Sequence, residues 1–410
     1  MNITRFIAKR IAFNQQKSFS RFIIRLATAA TVISVAVMIV ALAITNGFQY
    51  TISQKIFSFW GHIRVQHFQA SRISSAEETA IQKNDTVVQV LKNNPAIETV
   101  NSFATKSAIL KTNETIEGIL LKGVEKDYTF SRLQQFLKEG RWIQFPDSGY
   151  SNEIVLSAYT AKQLQLTVNS AVLIYFIQNN GGAPRARKLR VAGIYKTGIE
   201  EYDKVLALGD MRLIQRLNDW KPDEIGGYEI FLKDYKQIDK VSDQLFNSLP
   251  IAWNSKSIRE VNPGIFDWLN LQDTTIALVL VIMTIVAVLN LITCLIILVL
   301  ERTRMIGILK ALGLPNGNIQ TIFLYHGAII TISGIIIGNL LAVIICWLQQ
   351  HYGFIRLQEE MYYISKAEVR LEWWHFVLAD AGTFIVCLLI LIIPTLIIRR
   401  IQPVKAIQFR

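Results

Sequence analysis

Cysteine is nearly missing from this chain. Only three occur in 410 residues, and Cys294, Cys346 and Cys387 all fall inside long apolar runs. A disulfide-stapled fold is therefore excluded. Charge is scarce as well, at 18% of residues against roughly 25% in ordinary soluble domains. Nine prolines and 22 glycines are too few for a low-complexity linker, and a hydrophobic content of 51% does not suit a disordered chain. Catalytic motifs are lacking too. The five histidines, His62, His67, His326, His351 and His375, nowhere pair at metal-ligand spacing. There is no His-Glu-x-x-His, no Gly-x-Ser-x-Gly and no Gly-Lys dipeptide, so the chain carries no phosphate-binding Walker loop.

What the chain does have is four apolar segments. Charge is absent from Leu26 to Gln54, Thr274 to Leu300, Ala311 to Ile355 and Ala381 to Ile398. A helix needs about 20 apolar residues to cross a hydrocarbon core ~30 Å thick. The expected spans are residues 23–46, 273–300, 321–348 and 376–398. Asp380, at the mouth of the last, is expected to be a solvated end residue. Apart from Asp273 at the very start of the second, spans two to four hold no other Asp, Glu, Lys or Arg, which argues against a proton-coupled pump or ion channel.

The net charge of +12 is a topology signal. Residues 1–22 carry Arg5, Lys9, Arg10, Lys17 and Arg21 with no acid, and Arg25 follows. Between spans two and three lie Arg302, Arg304 and Lys310 against Glu301, and residues 399–410 hold Arg399, Arg400, Lys405 and Arg410. These bases account for the whole excess, since acids and bases cancel over the rest of the chain. Positive residues favour the cytoplasmic side, so both termini are expected there, and nucleic acid drops out as a partner. The alternative, a secretory signal cleaved near Ala41-Leu42-Ala43, suits neither the long basic region nor the long apolar run. Trp268, Trp347, Trp373 and Trp374 fall at the outer ends of the last three spans, where amphipathic rings prefer to lie.

Residues 47–272 then form the outer domain. Phe48, Ile52, Ile56 and Phe59 repeat at helical spacing past the first span and predict a stalk. Beyond it, strand-like runs at Val100–Lys111 and Thr115–Val124 predict a hairpin. Further strands are expected at Glu153–Ser157, Ala171–Gln178, Lys188–Lys196, Val205–Leu208 and Tyr228–Leu232. Helices are expected to follow Ser157 and to cover Asp210–Asn218 and about Asp234–Leu249. This density of mixed elements gives an α+β domain. Pro263–Leu271 reads as a second stalk, and residues 349–375 as a short outer loop. The fold class is thus a membrane protein with four transmembrane α-helices and a large α+β extracytoplasmic domain between the first and second.

Two amphipathic segments face the other side. Ile3, Phe6, Ile7 and Ile11 form an apolar stripe over residues 1–22. Residues 301–320 contain a second short helix, with Met305, Ile308, Leu309 and Leu312 read as one apolar face and Arg302 and Lys310 at its edges. Gly313 suits a left-handed cap, Pro315 a stop and Asn316 a cap for the next helix. Physics alone leaves two readings open, a lever that docks a partner and a helix lying on lipid headgroups. In the third span, Gly334 and Gly338 form a Gly-x-x-x-Gly pair that allows close helix approach.

The run from Glu301 to Gly313 resembles the signature of MacB/FtsX-type ABC transporter permeases, Glu-Arg-x-x-Glu-Ile-Gly-x-x-Lys-Ala-x-Gly, with Met305 replacing the usual Glu. Pro403-Val404-Lys405-Ala406-Ile407 resembles the family's closing Pro-x-x-Ala-Leu. The order of one span, a large outer domain and three spans also matches. Chain length, domain size and Glu153-Ile154-Val155-Leu156-Ser157 look most like the LolC/LolE lipoprotein-releasing permeases. The resemblance implies a coupling helix, with Glu301, Arg302, Met305, Ile308, Leu309, Lys310, Leu312 and Gly313 seated on a separate LolD-like ABC ATPase. It implies that ATP and Mg²⁺ are used by that partner and that this chain is not itself an enzyme. It also implies a second permease, identical or related, in the inner membrane. Lipoprotein cargo is expected to enter between the outer ends of the first two spans, past Val40, Ala43, Phe48, Leu271, Val279 and Met283, for hand-over to a periplasmic carrier. A MacB-like efflux permease for peptides or drugs and an FtsX-like regulator of a cell-wall enzyme remain alternatives.

Overall fold

The structure is a computed structural model that describes residues 19–67, 79–112, 115–178 and 183–395. The expected N-terminal amphipathic helix over 1–22 and the tail over 399–410 lie outside it, save for the start of the first long helix at Phe19. Two compact units emerge. One gathers residues 19–50, 267–356 and 366–395, and the other residues 51–266 and 357–365.

Among the described residues, four helices are long and apolar enough to cross a membrane. They run Phe19–Trp60, Pro263–Glu301, Asn316–Tyr352 and Trp373–Thr395. The first has 42 residues, or about 63 Å of helix, twice what the hydrocarbon requires. No break separates span from stalk, because neither proline nor glycine punctuates the sequence between Asn46 and Gly61 except Gly47. The second helix, 39 residues from Pro263, likewise includes its expected stalk.

Within the membrane-helix unit one apolar cluster joins all four helices. It contains Ala27, Val288, Leu291, Leu295, Leu298, Ile319, Phe323, Ile330, Cys387 and Leu391, together with Ile306 from the short helix Thr303–Ala311. The glycines of the third helix set its distance from the first. A Cβ on Gly334 would stand 2.7 Å from Thr31 Cγ2, and one on Gly338 would stand 3.0 Å from the Val32 carbonyl. Elsewhere large side chains point outward, among them Leu278, Val281, Ile285 and Leu289 of the second helix, as lipid-facing surfaces do. Asp380 departs from the expectation of a solvated end. It is half-buried, and the Asn339 amide of the third helix donates to its carboxylate at 2.8 Å. Its side of the helix is packed, so the polar group is held by a neighbour in place of water.

The second unit is α+β. Its strands are β1 (Ile63–His67), β2 (Ile81–Gln82), β3 (Ile97–Lys111), β4 (Ile116–Val124), β5 (Leu137–Gly140), β6 (Glu153–Ser157), β7 (Ala171–Phe176), β8 (Arg185–Tyr195), β9 (Leu206–Asp210), β10 (Glu224–Ile225), β11 (Gly227–Leu232) and β12 (Trp253–Ser257). Ten of them form one mixed sheet in the order β12-β1-β11-β3-β4-β9-β6-β8-β5, with β7 bridging β3 and β8, while β2 and β10 pair separately. The expected β3–β4 hairpin is present, with Phe103 opposite Val124 and Lys111 opposite Ile116. Side-chain caps start the helices, as where Ser157 Oγ accepts from the Thr160 amide and Asp210 from the Arg212 amide. Beneath the sheet Phe59 joins Val124, Tyr128, Phe136, Trp142, Val155, Tyr195 and Leu208 in a core.

Several expected boundaries change. The compact α+β unit gathers residues 51–266 and 357–365. Part of the stretch expected as a short outer loop, 349–375, thus groups with that unit. The third helix continues to Tyr352, where Gly353 caps it at φ +58. The expected coupling helix 301–320 is three pieces: Glu301 ends the second span, Thr303–Ala311 is the short helix, and Asn316 opens the third span. Asn316 is the first helical residue and makes no side-chain cap; Pro315 occupies the capping position.

Candidate functional site

The short helix Thr303–Ala311 is fixed at both ends. At its start Arg302 breaks from helical geometry, and Thr303 Oγ1 donates back to the Leu300 carbonyl at 2.7 Å. At its end Gly313 adopts φ +85. The Leu314 amide reaches the Leu309 carbonyl and the Gly313 amide the Lys310 carbonyl, both at 3.0 Å. This double closure is a Schellman motif, available to glycine without the Cβ penalty of the left-handed region.

The eight expected coupling residues do not share one face. Ile306 and Gly307 are buried, and Met305, Leu309 and Leu314 pack against the same transmembrane cluster. Ile308 is 45% exposed and Leu312 79%. Glu301, Arg304, Ala311 and Gly313 are also exposed, whereas Arg302 and Lys310 are half-buried. Partial burial draws the Lys310 ammonium below its ordinary pKa. The apolar arc read from sequence thus divides in two. Met305 and Leu309 anchor the helix, and Ile308 and Leu312 are offered outward with the charges of Glu301 and Arg304 beside them. Met305, where the family signature has Glu, extends the inner anchor.

The six expected cargo-wall residues are likewise dispersed. Val40 and Met283 meet on one cluster with Val35, Met38, Ile39, Ala342 and Ala379. Phe48 lies edge-on to Trp268 with ring centroids 5.4 Å apart. One residue on, Gln49 donates to the Leu269 carbonyl at 3.0 Å and to Asp273 at 2.8 Å. The first and second long helices are therefore stapled together here. Ala43 turns elsewhere: it is fully buried, and the Arg370 amide donates to its carbonyl at 3.0 Å. Val279 is half-buried and Leu271 is 62% exposed. The six do not gather into one cluster.

Two features were missed in the sequence. The segment 357–365 is held by the α+β unit through Lys196–Glu359 at 2.6 Å, Tyr363 Oη donating to Glu201 at 2.9 Å, and Lys55 Nζ donating to the Tyr363 carbonyl. Burial lowers the Lys55 pKa, against the opposing pull of Glu359 and Asp203. The second is Lys122 of β4, wholly buried and ion-paired with Glu229 of β11. A lone base inside an apolar strand was the available signal.

With this geometry in view, the similarity to known proteins is specific. Residues 26–246 match the MacB-like periplasmic core domain, and residues 277–403 match the FtsX-like permease C-terminal region. The chain belongs to the MacB/FtsX-type family of ABC transporter permeases. Among curated relatives, the lipoprotein-releasing system transmembrane protein LolE of Haemophilus influenzae is 23% identical, with all of both chains covered. LolC of Xylella fastidiosa is 22% identical over 96% of each. Among solved structures, the periplasmic region of MacB from Actinobacillus actinomycetemcomitans aligns over 50% of this chain and 91% of its own, at 16% identity and a TM-score of 0.34. The extracellular domain of the transporter YknZ aligns over 48% and 99%, at 15% identity and a TM-score of 0.32.

Proposed function

We propose that this chain is the permease subunit of an ABC transporter of the bacterial inner membrane that extracts lipoproteins and releases them towards the outer membrane. A separate ATPase docks on Thr303–Ala311 from the cytoplasm, where both termini also lie. A second permease, identical or related, completes the membrane part. ATP and Mg²⁺ act on the partner, and this chain's work is mechanical. Closure of the ATPases tilts the short helix, the spans follow, and the α+β domain outside moves.

The observation that carries this reading is the divided short helix. Met305, Ile306 and Leu309 bind it to the core of all four spans, while Ile308 and Leu312 remain uncovered. A helix merely resting on lipid does not need rigid stops at both ends or an anchor shared by every span. Full-length similarity to lipoprotein-releasing permeases supports the cargo. So does the energetics, because exposing one 16-carbon acyl chain to water costs roughly 12 kcal/mol at about 0.8 kcal/mol per CH₂. Release of such cargo needs a driven step and a shielded hand-over to a carrier.

Two measurements test this. Replacing Ile308 and Leu312 together by Asp leaves the inner anchor intact. Membrane insertion is expected to persist while the copurifying ATPase is lost; undiminished copurification rejects the docking face. Depletion of the protein is expected to leave lipoproteins in the inner membrane. Normal lipoprotein sorting with a retained ATPase points instead to efflux or to regulation of a wall enzyme.

A further inference from the structure

The β4 residue Lys122 is 0% exposed and its partner Glu229 is 1% exposed. The pair reaches across β3, which lies between their strands in the sheet. Lys122 Nζ donates to the Glu229 carboxylate, and also to the main-chain carbonyl of Phe59 at 2.5 Å. Phe59 is the penultimate residue of the first long helix. Around the ammonium stand the rings of Trp60, Tyr128 and Phe103, with centroids 5.4, 5.7 and 5.9 Å away. Burial, with the Glu229 charge nearby, pushes the Tyr128 phenol well above its ordinary pKa. Arg64 lies 4.9 Å from the centre of the Trp60 ring and 4.5 Å from that of Phe103. Immediately after the helix, Gly61 turns the chain at φ +70.

Stability does not account for this arrangement. Withdrawing two charges from water is costly, and well-packed apolar residues often replace a buried pair without loss. What an apolar contact cannot provide is position along an axis. A greasy surface slides by an ångström at little cost, whereas an ammonium bonded to one carbonyl at a helix end does not. The positive charge also meets the negative end of the helix dipole. The start of the second stalk is held differently, by Phe266 stacked on Phe57 at 6.0 Å, a contact without a fixed axial position.

We propose that Lys122 is a positioning residue that fixes the end of the first stalk helix to the sheet, so that axial displacement of that helix becomes motion of the α+β domain. This rests on the mechanical role argued above and names the point through which force enters the domain.

The test uses the complete transporter, both permeases and the ATPase, in proteoliposomes loaded with a triacylated lipoprotein. A dye on Ile251→Cys reports energy transfer to acceptor lipids with and without ATP, since Ile251 is fully exposed. The double variant Lys122→Met, Glu229→Gln removes both charges and orphans neither. It is expected to melt like the parent and to hydrolyse ATP within about twofold, while the ATP-dependent dye signal and lipoprotein release each fall by at least about tenfold. Should the double variant fail to fold, Tyr128→Phe removes one hydroxyl and no charge, and is expected to reduce the dye signal at unchanged hydrolysis. A folded variant with the parental dye signal overturns the proposal. A parent whose dye responds to ATP but which releases no lipoprotein overturns the cargo assignment and leaves the clamp standing.

Discussion

His62 shows how much a single side chain in this domain depends on its surroundings. It lies two residues past the end of the first long helix, and its Nδ1 accepts from the Leu232 amide at 2.8 Å. Phe57 lies edge-on to the imidazole at 4.5 Å. Burial, with Arg132 and Arg259 adding repulsion, pushes its pKa from 6.5 down to about 4. The folded state therefore keeps the ring neutral where the unfolded chain takes up a proton. The stabilisation is complete above pH 6.5 and is lost as pH falls towards 4, amounting to on the order of 3 kcal/mol. The melting temperature of the protein is expected to drop through that window, and His62→Asn, which keeps an acceptor without a titrating ring, to flatten the drop. An identical pH profile in the variant assigns the loss to other groups. In the sequence, His62 was only one of five histidines without a metal-binding partner; its role depends on Leu232, 170 positions away.

At the scale of elements, local pattern was legible and partnership was not. The hairpin Val100–Lys111 with Thr115–Val124 and the strand Glu153–Ser157 were readable because apolar residues alternate or cluster there. β12 was missed: Trp-Asn-Ser-Lys-Ser is mostly polar, and it is a strand because β1 pairs with it from Ile63–Ser257 to His67–Trp253. The short helix was read correctly as an element, but its apolar arc was assigned to one surface. Met305 and Leu309 lie on one side of that arc, Ile308 and Leu312 on the other, and only the surrounding spans decide which side is covered. The Gly334–Gly338 pair was legible outright, because packing is the one use such spacing has in a span. Gly338→Leu is expected to force the third helix from the first and to lower thermal stability in detergent by several degrees, corresponding to about 1–3 kcal/mol of overpacking. Unchanged melting would argue that the contact with Val32 and Val35 is dispensable.

For the whole molecule, the charge distribution makes a prediction that the three native cysteines make easy to check, since Cys294, Cys346 and Cys387 are all buried. A membrane-impermeant maleimide applied to spheroplasts is expected to label Ile251→Cys at once, and Leu312→Cys only after the membrane is opened. Labelling of Leu312→Cys in intact spheroplasts would reverse the topology and remove the ATPase site with it. Composition was sufficient to read four membrane-crossing helices with an α+β domain between the first and second; the orientation read from Arg and Lys is what the labelling checks. Both were silent on residues 357–365, whose attachment through Glu359 and Tyr363 depends on Lys196, Glu201 and Lys55, residues far away in the chain.

The rigid stops around Thr303–Ala311 also limit how this stretch can change over evolutionary time. Insertion or deletion of one residue between Arg302 and Gly313 rotates everything beyond it by about 100°, carrying Ile308 or Leu312 inward and a core residue outward. Such a helix is expected to tolerate exchange of its uncovered side chains, and with it, under the proposed docking role, a change of partner specificity, but not a change of length.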